Sequence, residues 1–350
     1  MLVEGLGEMK RTGTASLLTL CLLAFSAFTA QSGRSDDAIP APTDSPTPIL
    51  SSDPSASPSA TATILSISQR SVATTAIPAL IDAPVPKVLT PSIIDAPLDR
   101  PTPYVDRCHT QQDQTASKSA CVYGNLKSKT TIVLFGDSHA LSWFPAIEKL
   151  AIAKNWRMYS WTMSSCWPAD IPAWNSTKSI LMTNCAIWRA NIVKKIIALK
   201  PKMVFVAGTR GFATIDSDGN ILQGEVRAST WVAGMKRTVE SLKKSTAKLI
   251  YIADTPLSIF DPHVCMTAHL SSLKACSTPY AKAVSSDWLG LEHQVAADEN
   301  IFWVDPTTWI CSTDPCSPVK GHDMIYVDGG HLTATFAKTL EPALWAQVTK

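Results

Sequence analysis

Thr130-Thr131-Ile132-Val133-Leu134-Phe135-Gly136-Asp137-Ser138-His139-Ala140 is the stretch on which the fold turns. The run Thr130–Phe135 is short and continuously apolar, with no polar face, so it reads as a strand buried on both sides. Gly136 ends it. Asp137 and Ser138 are residues that favour a helix N-cap, and Trp143, Ile147, Leu150 and Ala151 then recur at helical spacing. A buried strand feeding directly into an amphipathic helix is the unit from which parallel sheets are built.

The same alternation continues downstream. Arg157–Trp161, Met203–Ala207, Lys248–Ala253 and Ile301–Val304 read as further strands. Cys185, Trp188, Ile192, Ile196 and Ile197 lie on one helix face that Pro201 stops. Trp231, Met235, Val239 and Leu242 mark another helix, and Leu332, Phe336, Leu340 and Leu344 a single closing one. The expectation is an α/β fold, a three-layer doubly wound (flavodoxin-like) parallel sheet. Reactive groups in such folds collect outside the carboxyl ends of the strands. Ser138 follows the first strand there, and Gly208, Asp254 and Asp305 follow later ones.

A second motif, Asp328-Gly329-Gly330-His331, precedes the last amphipathic stretch. Serine, histidine and aspartate are the parts of a nucleophilic hydrolase: one attacks an acyl carbon, one takes its proton, one holds the base. Each has a plainer reading beside this one. Ser138 serves equally as a helix cap, and Asp328 with His331 as a capped helix start carrying a surface histidine. His139 lines the pocket or caps the helix, Asp137 braces the turn, and Arg210 binds an anion or sits as a solvated loop charge. His322 and Asp323 beside Asp328 and His331 form an irregular metal-like set whose spacing matches no standard site, so no metal is expected.

Composition narrows the classes. With 350 residues and a net charge of +2 there is no clustered basic stripe, which excludes nucleic acid as a partner. Lys10-Arg11, the apolar run Leu17–Phe25 and small residues at Ala27, Ala30 and Ser32 read as a signal peptide over residues 1–32. The start is Met1 or Met9, and an uncleaved anchor is the alternative, though the run falls short of the ~20 residues a span needs. Residues 33–103 are rich in Pro, Ser, Thr and Ala without aromatics and read as a disordered tether. Short apolar patches at Ile64–Ile67 and Val88–Ile94 leave room for local packing. A folded domain over 104–350 follows. Beyond Cys21, eight cysteines form four sequence-local couples, as expected of a disulfide framework in an exported chain. About a hundred connectivities are formally possible. The simplest is Cys108–Cys121, Cys166–Cys185, Cys265–Cys276 and Cys311–Cys316.

Taken together, Gly136-Asp137-Ser138 and Asp328-x-x-His331 resemble the SGNH (GDSL-type) hydrolase superfamily. The fuller strings Val133–Ala140 and Asp328–Thr333, with the paired cysteines, are similar to the SGNH domain fused to membrane-bound acyltransferase-3 proteins, which place O-acyl groups on cell-surface glycans. The likeness runs from about Cys108 to the C-terminus, here standing alone behind a signal and tether. It implies an SGNH-hydrolase fold with loop disulfides, with Ser138 as nucleophile, His331 as base and Asp328 as its orienting acid, and no cofactor. It also implies a secreted or extracytoplasmic monomer that moves or removes acyl groups, most simply acetyl, on an extracellular glycan, with a membrane acyl-donor acyltransferase as candidate partner. The family's oxyanion Gly after the second strand and Asn after the third are missing. Ser164-Ser165-Cys166-Trp167 and Gly208-Thr209-Arg210 stand there instead, leaving backbone N–H groups of Ser138 and Gly208 as candidates. A glycan-binding module without turnover is therefore the alternative, with a lipase or phosphodiesterase behind it. Trp143, Trp161, Trp167 and Trp174 either stack on sugars or pack in the core.

Overall fold

The middle layer is a seven-stranded sheet. Its strands are β1 (His109–Thr110), β2 (Val122–Gly124), β3 (Thr131–Gly136), β4 (Arg157–Met163), β5 (Met203–Ala207), β6 (Lys248–Ile252) and β7 (Phe302–Val304). The structure is a computed structural model that describes residues 77–245 and 247–349. The signal segment and the first part of the expected tether lie outside the described residues.

Strand order is β1-β4-β3-β5-β6-β7, all parallel. The short β2 pairs antiparallel with the start of β4, beside β1. From β3 the chain winds outward to β4 and then returns to β5 on the other side. Neighbouring connections thus diverge at the carboxyl end of β3, the place where open α/β sheets form their binding crevice. The expected flavodoxin-like order is present.

Both faces of the sheet are covered. Val133 and Phe135 of β3 face helices α1 (Thr183–Leu199), α2 (Gly224–Lys243) and α3 (Ser286–Asp298), packing with Trp188, Ile192, Trp231, Met235 and Val295. Ile132 and Leu134 face the opposite layer, where they pack with Leu141, Ile147, Leu150, Phe336 and Leu344. That double burial is why the strand is apolar without alternation.

Two expectations need correction, and one open alternative is decided. The single closing helix is two: Ala334–Thr339 and Glu341–Val348, meeting at Leu340. Thr333 caps the first through its hydroxyl, and Pro342 stands in the first turn of the second, where its missing N–H costs nothing. Trp143, Trp161 and Trp167 are buried, so core packing claimed three of the four tryptophans; Trp174 is half-buried.

Second, residues 77–103 are not tether. They form a strap laid against the C-terminal part of the domain. Val85 and Ala96 are buried with Met266, Cys276, Val319 and Met324. Backbone bridges pair Ala79 with Asp314 and Thr90 with Asp323. Proline favours an extended chain but does not prevent packing, and the apolar residues between the prolines supply the contact. Deleting residues 77–103 is expected to lower the melting temperature by roughly 5–15 °C, since a few kcal/mol of apolar burial is lost. A thermal melt of the shortened chain against the full chain measures this.

The four local disulfides are formed: Cys108–Cys121, Cys166–Cys185, Cys265–Cys276 and Cys311–Cys316. Each closes a loop between or beside the sheet elements. Among the described residues no helix is long and apolar enough to cross a membrane.

Candidate active site

The site begins with the turn that follows β3. Gly136 has φ of 149°, and a Cβ there would lie 1.9 Å from the Ala207 carbonyl oxygen and 2.8 Å from Ala140 Cβ. No other residue fits where β3 passes so close to β5. Asp137 then caps the short helix Ser138–Ser142. Its Oδ1 accepts from the N–H groups of His139 (2.8 Å) and Ala140 (3.3 Å), and its Oδ2 accepts from Thr209 N–H (2.8 Å). Asp137 is fully buried, and that burial pushes its carboxyl up despite the opposing pull of His139. It is a brace between the loops after β3 and β5.

Ser138 opens the helix with its hydroxyl 2.9 Å from His331 Nε2. His331 Nδ1 stands 2.9 and 3.0 Å from the two oxygens of Asp328. Asp328 Oδ1 also accepts from the N–H groups of Gly330 and His331, both at 2.9 Å. Burial opposes the charge of Asp328, but the hydrogen bond and charge of His331 and those two N–H groups hold it well below the usual carboxylate range. Serine, imidazole and carboxylate thus form one hydrogen-bonded line. A carboxylate fixed this way keeps the far imidazole nitrogen turned to the hydroxyl, where it can take a proton.

A second imidazole–carboxylate pair lies beside the first. His139 Nδ1 is 2.7 Å from Asp254 Oδ1, and its ring centroid is 4.9 Å from that of His331. Burial disfavours charge on His139, yet the Asp254 carboxylate and its hydrogen bond outweigh this and raise the imidazole to about 9. Asp254 Oδ2 accepts from Arg210 N–H at 3.0 Å, with Arg210 Nε at 4.0 Å. The Arg210 guanidinium also donates to the Ala283 carbonyl. Arg210 is therefore tied back beneath the site and is not a solvated loop charge. Gly208, the residue after β5, lies against Pro168 and Asp137.

Two residues that sequence reasoning missed complete this arrangement. Glu292, 1 % exposed, accepts from Tyr251 O–H (3.2 Å) and Asp254 N–H (3.2 Å). Burial and the nearby Asp254 charge raise it well above its ordinary value. Its signal was legible only as an acid between Leu291 and Val295 on a buried helix face. The other is Arg100 of the strap, whose guanidinium lies 3.6 Å from Asp328 Oδ2 and over the Tyr104 ring. Nothing in the sequence links Arg100 to Asp328. His322 and Asp323 do not join the triad: His322 Nδ1 meets the Val88 carbonyl, and Asp323 pairs with Lys320 in a small hairpin. Among the described residues no group of three or more His, Cys, Asp or Glu is placed to hold a metal.

The family model described as the SGNH domain (fused to AT3 domains) matches residues 107–346. The chain belongs to the SGNH domain family. No curated protein matches the sequence. Among solved structures, the periplasmic domain of the lipopolysaccharide acetyltransferase of Salmonella ser. Paratyphi A is similar, with TM-score 0.52 at 16 % identity, covering 68 % of this chain and 92 % of that one. A GDSL-like lipase of Bacteroides thetaiotaomicron follows with TM-score 0.38 at 12 % identity, over 64 % and 90 % of the two chains. An acetyl xylan esterase gives 0.37 at 11 %, over 62 % and 98 %.

This SGNH domain departs from its family's pattern at two places. Ser165, in the loop after β4 where the family's oxyanion glycine is expected, holds a left-handed φ of 55°, a conformation that glycine adopts at less cost. The N–H groups of Thr209 and Arg210 after β5 are already bonded to Asp137 and Asp254. Arg100 lies outside the matched residues yet faces the triad acid. Its ion pair is about one-third exposed, so its loss costs little stability, about 0–1 kcal/mol. Arg100→Gln is expected to lower turnover of a small ester a few-fold by loosening Asp328, with the melting temperature shifted by no more than ~2 °C. Steady-state kinetics beside a thermal melt checks both halves.

Proposed function

We propose that this chain is a serine O-acyl esterase or O-acyltransferase acting on acyl groups, most simply acetyl, of a cell-envelope or extracellular glycan. The observation that carries this reading is the line Ser138 Oγ to His331 Nε2 to Asp328, at 2.9 Å and 2.9 Å. Ser138 Oγ attacks the acyl carbon while its proton passes to His331 Nε2. The ester C–O bond then breaks, and the departing alkoxide takes that proton from His331. Water or a sugar hydroxyl next gives its proton to His331 and attacks the acyl-Ser138 ester, and the proton returns to Ser138 as the Oγ–acyl bond breaks. Atoms balance in both outcomes, hydrolysis with water and transfer with a sugar. The chain's own residues suffice, and no cofactor enters.

The four disulfides support an extracytoplasmic location, where thiols are oxidised. The similar lipopolysaccharide acetyltransferase domain supports a glycan as the acyl-bearing partner. A membrane acyl-donor acyltransferase would supply the acyl group for transfer, and the chain would act as a monomer.

A second reading has an observation of its own. The loops after β4 and β5 carry neither the family's Gly nor its Asn, and the loss of one such donor costs roughly 10²–10³ in rate. A glycan-binding module with little turnover would look this way. The test is a burst experiment with p-nitrophenyl acetate followed by mass spectrometry of the Ser138 peptide. A burst with one acetyl group on Ser138 is expected. No burst and an unmodified serine would favour the binding module.

A further inference from the structure

Next to the serine loop is a concavity that the triad does not use. It is a cleft of about 620 Å³, within the range of small-ligand sites (~300–1,000 Å³). Its walls are the loops that follow β4 and β5, the two strands flanking β3, together with a small hairpin that pairs Trp174–Asn175 with Ile180–Leu181. These two loops stand on either side of the loop that carries Ser138. In its floor Trp167 and Phe212 contact each other at 5.2 Å. Pro168, the next residue, abuts Gly208: a Cβ there would lie 2.6 Å from Pro168 Cδ and 3.4 Å from Asp137 Oδ2. Asp137 is the residue that caps the Ser138 helix.

The lining has a definite chemistry. Trp174 is half-buried and keeps part of its indole in the cleft. Beside it Asn175 Nδ2 donates to Gln112 Oε1 at 3.2 Å, so two amides stand side by side. Serine and threonine hydroxyls and Lys178 complete the rim, and no carboxylate faces the space. A lipid chain would call for a mainly apolar lining, and a phosphate group for clustered arginines. An aromatic platform edged by amides suits a pyranose, which offers an apolar C–H face and a rim of hydroxyls.

We propose that this cleft is a subsite for sugar units flanking the acylated one, with Trp174 as the stacking platform and Gln112 and Asn175 as hydroxyl readers. The proposal rests on the acyl-glycan reading above. It makes Trp174 a specificity residue that leaves the chemical step alone.

The test uses the full chain with Trp174→Ala, Trp174→Phe and Asn175→Ala, on two substrates: p-nitrophenyl acetate, too small to reach the cleft, and O-acetylated xylan. Trp174→Ala is expected to raise KM for the polymer roughly tenfold, Trp174→Phe less, with kcat kept and the small ester turned over within about twofold of wild type. Unchanged small-ester turnover also shows that the variants fold. Equal losses on both substrates, or none on the polymer, would overturn the subsite, as would a wild type that cleaves the small ester through Ser138 but does not act on the polymer. If wild type lacks Ser138-dependent cleavage altogether, it is the esterase reading that fails. Xylo-oligosaccharide binding, followed by tryptophan fluorescence, then decides the subsite. Saturable quenching lost in Trp174→Ala supports it, and no binding by wild type refutes it.

Discussion

Replacing Ser138 with Ala is expected to reduce cleavage of p-nitrophenyl acetate to the background rate, a fall of roughly 10⁴-fold or more. In the proposed mechanism the Ser138 hydroxyl is the attacking group, and its side chain hydrogen-bonds to His331 at 2.9 Å. Its removal therefore leaves the turn after β3 intact, because Gly136 and the Asp137 cap do that work through their own contacts. A melting temperature close to wild type should accompany the lost activity. His331→Ala should be as damaging as Ser138→Ala, and the double variant no worse than either, since residues acting as one unit are not additive. Asp328→Asn should fall between, because the amide still accepts through one oxygen but no longer balances an imidazolium. Initial rates for the four variants at neutral pH settle the order. Equal rates in wild type and all variants would remove the catalytic reading and leave the binding module.

The parts of the fold visible in the sequence are those with one dominant cause. β3, β5 and β6 are buried on both faces, so each is an unbroken apolar run, and the helices between them carry a single stripe. Ser138, Asp328 and His331 were legible because each sits in a short motif at an element boundary. Other features depend on contacts that sequence does not carry. β1 and β2 are two and three residues long, too short for any period, and exist because the edge of β4 is free to pair. The strap looked like linker because its composition is proline-rich, while Val85 and Ala96 find partners more than 150 residues away. Arg100 meets Asp328 for the same reason.

That strap bears on how the triad loop is held. Asp99 accepts from Thr335 N–H through its side chain at 2.9 Å, and its carbonyl accepts from Ala334 N–H at 2.8 Å. Arg100, the next residue, faces Asp328. Two adjacent strap residues thus grip both ends of the segment that carries His331. A chain begun at Tyr104 would keep every triad residue but lose that grip.

Asp254→Asn is expected to be the most destabilising single change at the site, and its effect should depend on pH in a defined direction. The buried Asp254 carboxylate is the partner of His139, whose side chain is 12 % exposed. Removing one member of a buried pair leaves the other charge uncompensated, which typically costs roughly 3–5 kcal/mol. Arg210 also loses its facing charge, while Asp137 and Glu292 remain nearby. His139 is raised from 6.5 to about 9 on folding. Its contribution, on the order of 3 kcal/mol, is therefore fully present below pH 6.5 and is lost as pH rises through about 9. Asp254 is lowered from 3.8, so its contribution is present above that value and is lost as pH falls through the folded one. The raised carboxyls of Asp137 and Glu292 also lose stability as pH rises above their unfolded values, and from pH 6.5 to about 9 the loss from His139 is added to theirs. In Asp254→Asn, His139 loses the largest charge and the hydrogen bond that keep it protonated, so the decline between pH 6.5 and about 9 should flatten. Urea unfolding at three pH values across that range measures both slopes, and a variant that weakens as steeply as wild type would show that the His139–Asp254 pair is not the group responsible. Because the His139 ring lies against His331 and Gly330, the variant should also lose esterase activity at pH values where it is still folded, which ties the second pair to the first.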